Sequence, residues 1–201
     1  MPAPVVPPVD PITRAIADAE RLDPGIPEIF ARAFEAPAAE GEARPRELVI
    51  ICYSGDLEKT WASLILATTA AASGVPTRIF LTFWGLQTFV RDDRRVTGRN
   101  WMQRMLSFME RPGIQHRKLS KLNFLGMGPW MMGRLARENG VASPKELLDV
   151  ALSLGVELMP CQMTMDMFGL RREDMIEGLG EPVGAATVVE LLANGAAPLF
   201  I

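Results

Sequence analysis

Four short apolar runs punctuate the chain, at residues 48–53, 78–83, 156–160 and 198–201. The first, Leu48-Val49-Ile50-Ile51-Cys52-Tyr53, is continuous and rich in β-branched residues, which predicts a strand buried on both faces of a parallel sheet. Helical patterns separate these runs. Residues 57–73 are Ala-rich and closed by Gly74, and they join the first two strands into a βαβ unit whose crossover is expected to be right-handed. Further helices are predicted at 86–90, 101–109, 131–138, 145–154, 172–177 and 185–192. Ser143 and Pro144 supply an N-cap and an N1 proline for the helix at 145–154, and Gly155 closes it. Residues 118–122 read as a short edge strand, 124–130 as a Gly/Met-rich loop, and 91–100 as a polar, mobile stretch. Strands alternating with helices predict an α/β fold. The expected form is a doubly wound, mostly parallel open sheet of about five strands.

Composition separates the first 45 residues from the rest. Nine of the 16 prolines fall there. Ile12, Ala15, Ile16 and Ala19, and then Ile26, Ile29, Phe30 and Phe34, recur at helical spacing. Residues 1–45 therefore read as a helical arm that packs on its own domain or wraps a neighbouring subunit, and 46–201 as a single α/β domain. The N-terminus has neither a basic segment nor an apolar core of the signal-peptide kind. No stretch approaches the ~20 apolar residues of a membrane helix. The expectation is a cytoplasmic chain with reduced thiols.

One His and two Cys leave too few ligands for a structural Cys/His zinc site, and no metal or other cofactor is expected. A disulfide scaffold is excluded as well. Any catalytic pair using histidine must use His116, which lies in the polar run Gln115-His116-Arg117-Lys118 and reads as solvent-exposed. The net charge of −3 argues against a nucleic-acid binder. Charge is nevertheless uneven: residues 91–121 hold nine Lys/Arg against Asp92, Asp93 and Glu110. This basic insertion is either a solvated surface or a dock for an acidic partner or anionic lipid, with Arg94, Arg95 and Arg99 at its head. Eleven of the 12 Met lie between 102 and 175. They serve as core filling, as a subunit interface, or as an adaptable lid.

In open α/β sheets ligands bind beyond the carboxyl ends of the strands. Three segments should converge there: Ser54-Gly55-Asp56, Trp84-Gly85-Leu86, and Cys161-Gln162-Met163-Thr164-Met165-Asp166. At a strand end Cys161 would see backbone N–H groups that favour thiolate, and Met163, Met165 and Met167 would surround it with polarizable sulfur. It could equally be an inert core residue. Cys52, inside the first strand, reads as a packing residue. A resolving role stays open if the two strands are neighbours. Ser54-Gly55-Asp56 caps a helix or cradles an anion; GxGxxG and GxxxxGK[ST] are both absent. Asp166 orients the Cys161 segment or caps the next turn.

The segments Ile51-Cys52-Tyr53-Ser54-Gly55-Asp56-Leu57-Glu58-Lys59, Phe83-Trp84-Gly85-Leu86, Met127-Gly128 to Met132, and Cys161-Gln162-Met163-Thr164-Met165-Asp166-Met167-Phe168-Gly169 resemble the DsrE/DsrF-like family in order and spacing. C-x-M-[ST]-M-D is the most specific block. The resemblance covers about residues 46–201. It implies a Rossmann-like sheet, an oligomer, and sulfur relay in which Cys161 carries sulfane sulfur as a persulfide and exchanges it with TusA-like carriers or rhodanese domains. Transmembrane helices carried by some related proteins are missing here, although peripheral membrane contact is compatible with the basic segment. Two functions of different class therefore stand. One is a persulfide carrier built on Cys161. The other is a non-catalytic module that binds a nucleotide or an anionic surface through the strand-end crevice and the basic segment, with Cys161 dispensable. A peroxide-reducing thiol is a third, which would need an accessible Cys52.

Overall fold

The computed structural model describes residues 47–94 and 97–201. The two helices expected in the arm, and Arg95 of the basic trio, lie outside them.

β1 (Leu48–Cys52) puts Ile50 and Cys52 into one buried cluster and Val49 into another, so its side chains alternate between the two faces of the sheet. β2 (Thr77–Leu81) does the same with Ile79 and Leu81 against Phe80, and β3 (Glu157–Pro160) with Leu158 against Met159. With β4 (Ala197–Phe200) they form a four-stranded parallel sheet in the order β3-β2-β1-β4. All four carboxyl ends therefore point the same way.

The first face is covered by α1 (Leu57–Ala72), through Leu64 and Ala67, and by α5 (Pro144–Ser153), through Leu148 and Ala151. Trp61 ties α1 to the loop before α5 by donating from Nε1 to the Ala142 carbonyl at 2.9 Å. The second face is covered by α7 (Ala185–Ala193), through Val188 and the half-buried Leu191 and Leu192. The sheet is thus wound on both faces, as the alternation of patterns predicts. The remaining helices are α2 (Phe83–Thr88), α3 (Trp101–Met109), α4 (Met127–Glu138) and α6 (Gln162–Phe168).

Several elements differ from the sequence pattern. The sheet has four strands among the described residues, because residues 118–122 do not pair with it. Their polar backbone is used elsewhere: the Lys118 carbonyl accepts the Leu57 N–H at 2.8 Å, and Ser120 donates to the Glu58 carboxylate. This segment straps the N-terminus of α1. The helix expected at 172–177 shrinks to a 3₁₀ turn, Arg172–Asp174. Arg172 reaches back to the carbonyls of Leu179 and Gly180, and Met175 leaves the turn to bridge Val90. α2 starts three residues earlier than its apolar pattern, at Phe83, whose N–H is held by the Thr164 hydroxyl at 3.1 Å. The stretch 124–130 is not a loop: a 3₁₀ turn at Phe124–Gly126 leads directly into α4, which starts at Met127 rather than 131.

The Ser143 N-cap and the N1 proline form at α5 as the sequence predicts, and Glu146 completes a capping box by exchanging hydrogen bonds with Ser143. α4 buries none of its residues, and Leu125, Trp130, Met131 and Leu135 stand in solvent. α3 buries only Ser107 and leaves Trp101, Phe108 and Met109 exposed. The Met-rich stretch is therefore mostly surface.

Candidate functional site

Cys161 follows β3 and is the N-cap of α6, so it stands where the sheet ends and a helix begins. Its N–H donates to the Leu81 carbonyl at 2.9 Å, which continues the β3–β2 ladder by one residue. On its other side it bridges Val183: Gln162 donates to the Val183 carbonyl at 3.0 Å, and Val183 donates to the Pro160 carbonyl at 2.9 Å. The side chain packs into the second-face cluster with Val49, Phe80, Met159, Val188 and Ala196, and the residue is 3% exposed. The segment carrying Val183 thus lies across the cysteine like a strap.

The residues after Cys161 form helix rather than loop, and helical geometry sorts them. Thr164, Met165 and Phe168 turn inward, while Gln162, Met163, Asp166 and Met167 face solvent. Thr164 is fully buried and its hydroxyl lies 3.1 Å from that of Thr82. Asp166 accepts from the Gln162 side chain at 3.0 Å on the outer face, an i,i+4 pair. The expected methionine surround does not form: Met163 and Met167 are exposed, Met165 belongs to the core of the other face, and Met159 is the methionine of the Cys161 cluster. Gln103 of α3 spans to α6 by donating to the carbonyls of Asp166 and Met167, at 3.2 and 3.0 Å. This clamp has no signature in the sequence.

Ser54-Gly55 and Trp84-Gly85 come together as expected, but as a closed crossing. Gly85 donates to the Tyr53 carbonyl at 3.0 Å, and a Cβ there would sit 2.3 Å from the Cys52 carbonyl oxygen. A Cβ on Gly55 would sit 2.7 Å from the Trp84 oxygen. Both positions require glycine for close approach. Ser54 donates from Oγ to Asp56 at 2.9 Å, and Asp56 pairs with Lys59 at 2.9 Å, so the turn organises the start of α1. Trp84 packs against Phe168 with ring centroids 5.2 Å apart, tying α2 to α6.

Cys52 and Cys161 are not neighbours. β2 lies between their strands, and their side chains enter different clusters. Strands are about 4.8 Å apart, so two spacings put the backbones about 10 Å apart, beyond the ~7 Å Cα limit for a disulfide. Burial pushes the Cys52 thiol up to about 11, with the Ser63 hydroxyl opposing weakly. It is a packing thiol at neutral pH.

In the basic segment, Arg94 turns toward Asp174 at 3.6 Å and the Glu173 carbonyl at 3.4 Å, whereas Arg99 is exposed. His116 is half-buried, and burial, with Arg111 beside it, lowers its affinity for a proton. The residue that sequence reasoning missed is Arg117. It is 4% exposed and donates from Nε to the Gly113 carbonyl at 3.1 Å. Nothing in the run 115–118 distinguishes it from its charged neighbour; the space left by Gly55 and the carbonyl of Gly113 do. Among the described residues no group of three or more His, Cys, Asp or Glu gathers as a metal cage.

A parallel α/β sheet with a cysteine between the end of an edge strand and the start of a helix defines a thiol-bearing doubly wound domain. The family model described as the DsrE/DsrF/DrsH-like family matches residues 44–200, and the chain belongs to that family. Relatives include the sulfur carrier protein DsrE2 of Allochromatium vinosum, 31% identical over 78% of this chain and 98% of its own length. The uncharacterized protein YrkE of Bacillus subtilis is also 31% identical, over 78% of this chain and 97% of its own. The crystal structure of YchN from E. coli aligns with 14% identity and a TM-score of 0.47, covering 77% of this chain and 99% of YchN. No described helix is long and apolar enough to cross a membrane.

Proposed function

We propose that this chain is a sulfur-relay protein that holds sulfane sulfur as a persulfide on Cys161 and passes it to partner thiols. Family membership and a relative named as a sulfur carrier support the relay role. The observation that carries the residue assignment is the contrast between the two thiols. Cys52 is locked inside the sheet, with its acidity suppressed. Cys161 stands just past the end of the edge strand β3, buried in the second-face cluster and flanked by the Val183 strap.

In the loading step the Cys161 thiolate attacks the outer sulfur of a donor persulfide, R–S–SH. The new S–S bond gives Cys161–S–SH, and the donor's S–S bond breaks, releasing the donor thiolate RS⁻. In the delivery step an acceptor thiolate attacks the outer sulfur, becomes the persulfide, and regenerates the Cys161 thiolate. No net redox change occurs and no cofactor is required. The apolar cluster around Sγ shields the persulfide from water and from small thiols, and access requires the Val183 strap to lift.

The same proposal takes a TusA-like carrier or a rhodanese-type domain as exchange partner, the exposed basic residues around Arg99 as its dock, and a reducing, cytoplasmic setting. It takes residues 1–45 as an arm on the domain 46–201. Assembly into a homo-oligomer is supported by the exposed apolar residues of α3 and α4.

Intact-mass spectrometry after incubation with polysulfide tests the central claim. Wild type and Cys52→Ser should gain sulfur, and Cys161→Ser should not. Normal loading of Cys161→Ser defeats the assignment. Absence of any adduct on a wild-type protein whose Cys161 alkylates normally defeats the carrier function.

A further inference from the structure

Residues 122–135, the tip before α4 and most of α4 itself, belong to neither hydrophobic cluster of the domain. Among the described residues nothing buries any part of α4. Yet large apolar side chains crowd this segment. Leu122, Phe124 and Leu125 stand exposed at the tip, and Leu125 is 106% exposed, so the rest of the chain gives it no shelter. Along α4, Met127, Met131 and Leu135 recur at i, i+4 and i+8 and form one exposed stripe, with Trp130 beside it. Contiguous exposed apolar surface of this kind marks an interaction site.

The backbone of the tip adds to its cost in water. Leu122, Phe124 and Leu125 have φ of 58°, 37° and 56°, the left-handed region that L side chains adopt unfavourably. Packing holds a strained residue in place when it is buried. These three side chains are exposed, and a phase that takes up their apolar surface offsets the strain.

Charge says what that phase borders on. From Arg111 to Arg137 the sequence has six Lys/Arg and no Asp or Glu. Arg117 is buried, and Arg111, Lys118, Lys121, Arg134 and Arg137 are exposed. Glu110 and Glu138 flank the segment, and Glu138 pairs with Arg134 at 2.7 Å. Glu58 is engaged by Ser120. Arg111 and Lys118 line the same surface depression as Leu125 and Trp130, so cations rim the apolar tip. Gly128 lies against the Leu122 carbonyl, which keeps Lys121 beside the start of α4.

A second copy meets this patch poorly, because two-fold pairing would set its cations against their own counterparts. A protein partner needs a cavity matched to the projecting side chains. A bilayer takes projecting apolar groups of any shape, holds Trp at headgroup level, and leaves Lys and Arg heads at the phosphates. With 12 residues, α4 is about 18 Å long, too short for the ~30 Å hydrocarbon core, so it lies along the surface.

We propose that residues 122–135 dock on the surface of an anionic lipid bilayer, with Leu122, Phe124 and Leu125 inserted below the headgroups, α4 in the interface plane, and Arg111, Lys118 and Lys121 on lipid phosphates. This attachment is separate from Cys161 and does not depend on persulfide chemistry.

Co-sedimentation of the full chain with sucrose-loaded vesicles tests it. Vesicles of phosphatidylglycerol and phosphatidylcholine in equal parts should carry the protein down, and pure phosphatidylcholine should bind it at least about tenfold more weakly. Leu122→Asn/Leu125→Asn removes two apolar anchors at left-handed positions that suit Asn. It should melt no lower than wild type and bind the anionic vesicles at least about tenfold more weakly. Lys118→Gln/Lys121→Gln should also bind about tenfold more weakly, with a flatter dependence on salt. Cys161→Ser should bind like wild type, which keeps this result apart from the relay. No sedimentation of wild type with the anionic vesicles overturns the proposal, and dispersal of an oligomer by the Asn variant would then give the patch to a second copy. Undiminished binding of the Asn variant overturns insertion. Equal binding to both kinds of vesicle overturns the role of charge.

Discussion

Cys52 and Cys161 show how position, not residue type, decides what a thiol can do. Both follow apolar strand residues, and both are buried. Cys52 occupies the last position of β1, with β2 and β4 on either side, and burial dominates its acidity. A thiol whose pKa is raised on folding favours the protonated state. Its contribution to stability is complete below the ordinary value of 9.0 and is lost as pH rises through about 11. Stability measured by urea denaturation should therefore fall between those pH values by up to about 3 kcal/mol through this group alone. Cys52→Ala should be less stable at neutral pH but should show a shallower alkaline decline. An identical decline in wild type and variant would refute the account. Glycine acts at the same scale: Gly55 and Gly85 let two turns cross at a distance no side chain permits.

In the proposed relay, access to Cys161 is set by the strap around Val183, held by two backbone hydrogen bonds beside Cys161, by Gly180 donating to the Leu158 carbonyl at 2.8 Å, and by the Val183 side chain on the second-face cluster. Short segments with few buried contacts open locally at a fraction of the global free energy. Trimming Val183 to alanine keeps both backbone bonds and removes apolar cover worth about 1 kcal/mol. Alkylation of Cys161 in native protein should then quicken about fivefold while Cys52 stays unlabelled. Equal alkylation rates would mean that the strap does not govern access. Elements also show where local signals suffice. Ser143, Pro144 and Glu146 specify the start of α5 without help, and the box forms. At 172–177 the helical pattern loses to tertiary partners, because Arg172 and Met175 find carbonyls and a bridge outside the turn.

For the whole molecule, the load is carried by the first-face core, in which Leu64, Ile79, Leu81 and Leu158 are fully buried. Leu158→Ala removes a fully buried side chain of the first-face core from the edge strand β3, and should cost about 2–5 kcal/mol. Urea denaturation should show a lower midpoint with an unchanged slope. A loss below about 1 kcal/mol would mean that the site collapses around the gap. The second face is thinner, covered by α7 alone among the named helices that supply its buried cluster. Cys161 lies on that thinner side.

Much of the fold was legible in the chain itself. Continuous β-branched runs separated by helical spacing determine buried parallel strands and covering helices, because backbone periodicity is a local property. The same holds for the Ser143 cap of α5 and for Cys161 at the end of a strand. Tertiary structure alone decided the rest. The spacing of the strands separated two thiols that the sequence left free to be neighbours. The polar segment 118–122 became a strap on α1 because a helix N-terminus and the Glu58 carboxylate offered better partners than a sheet edge. Arg117 is written like its charged neighbours, yet Gly55 leaves room to bury it and the Gly113 carbonyl pairs with it. Burial and hydrogen-bond partnership are properties of what surrounds a residue, and no pattern within five or six positions of the chain encodes them.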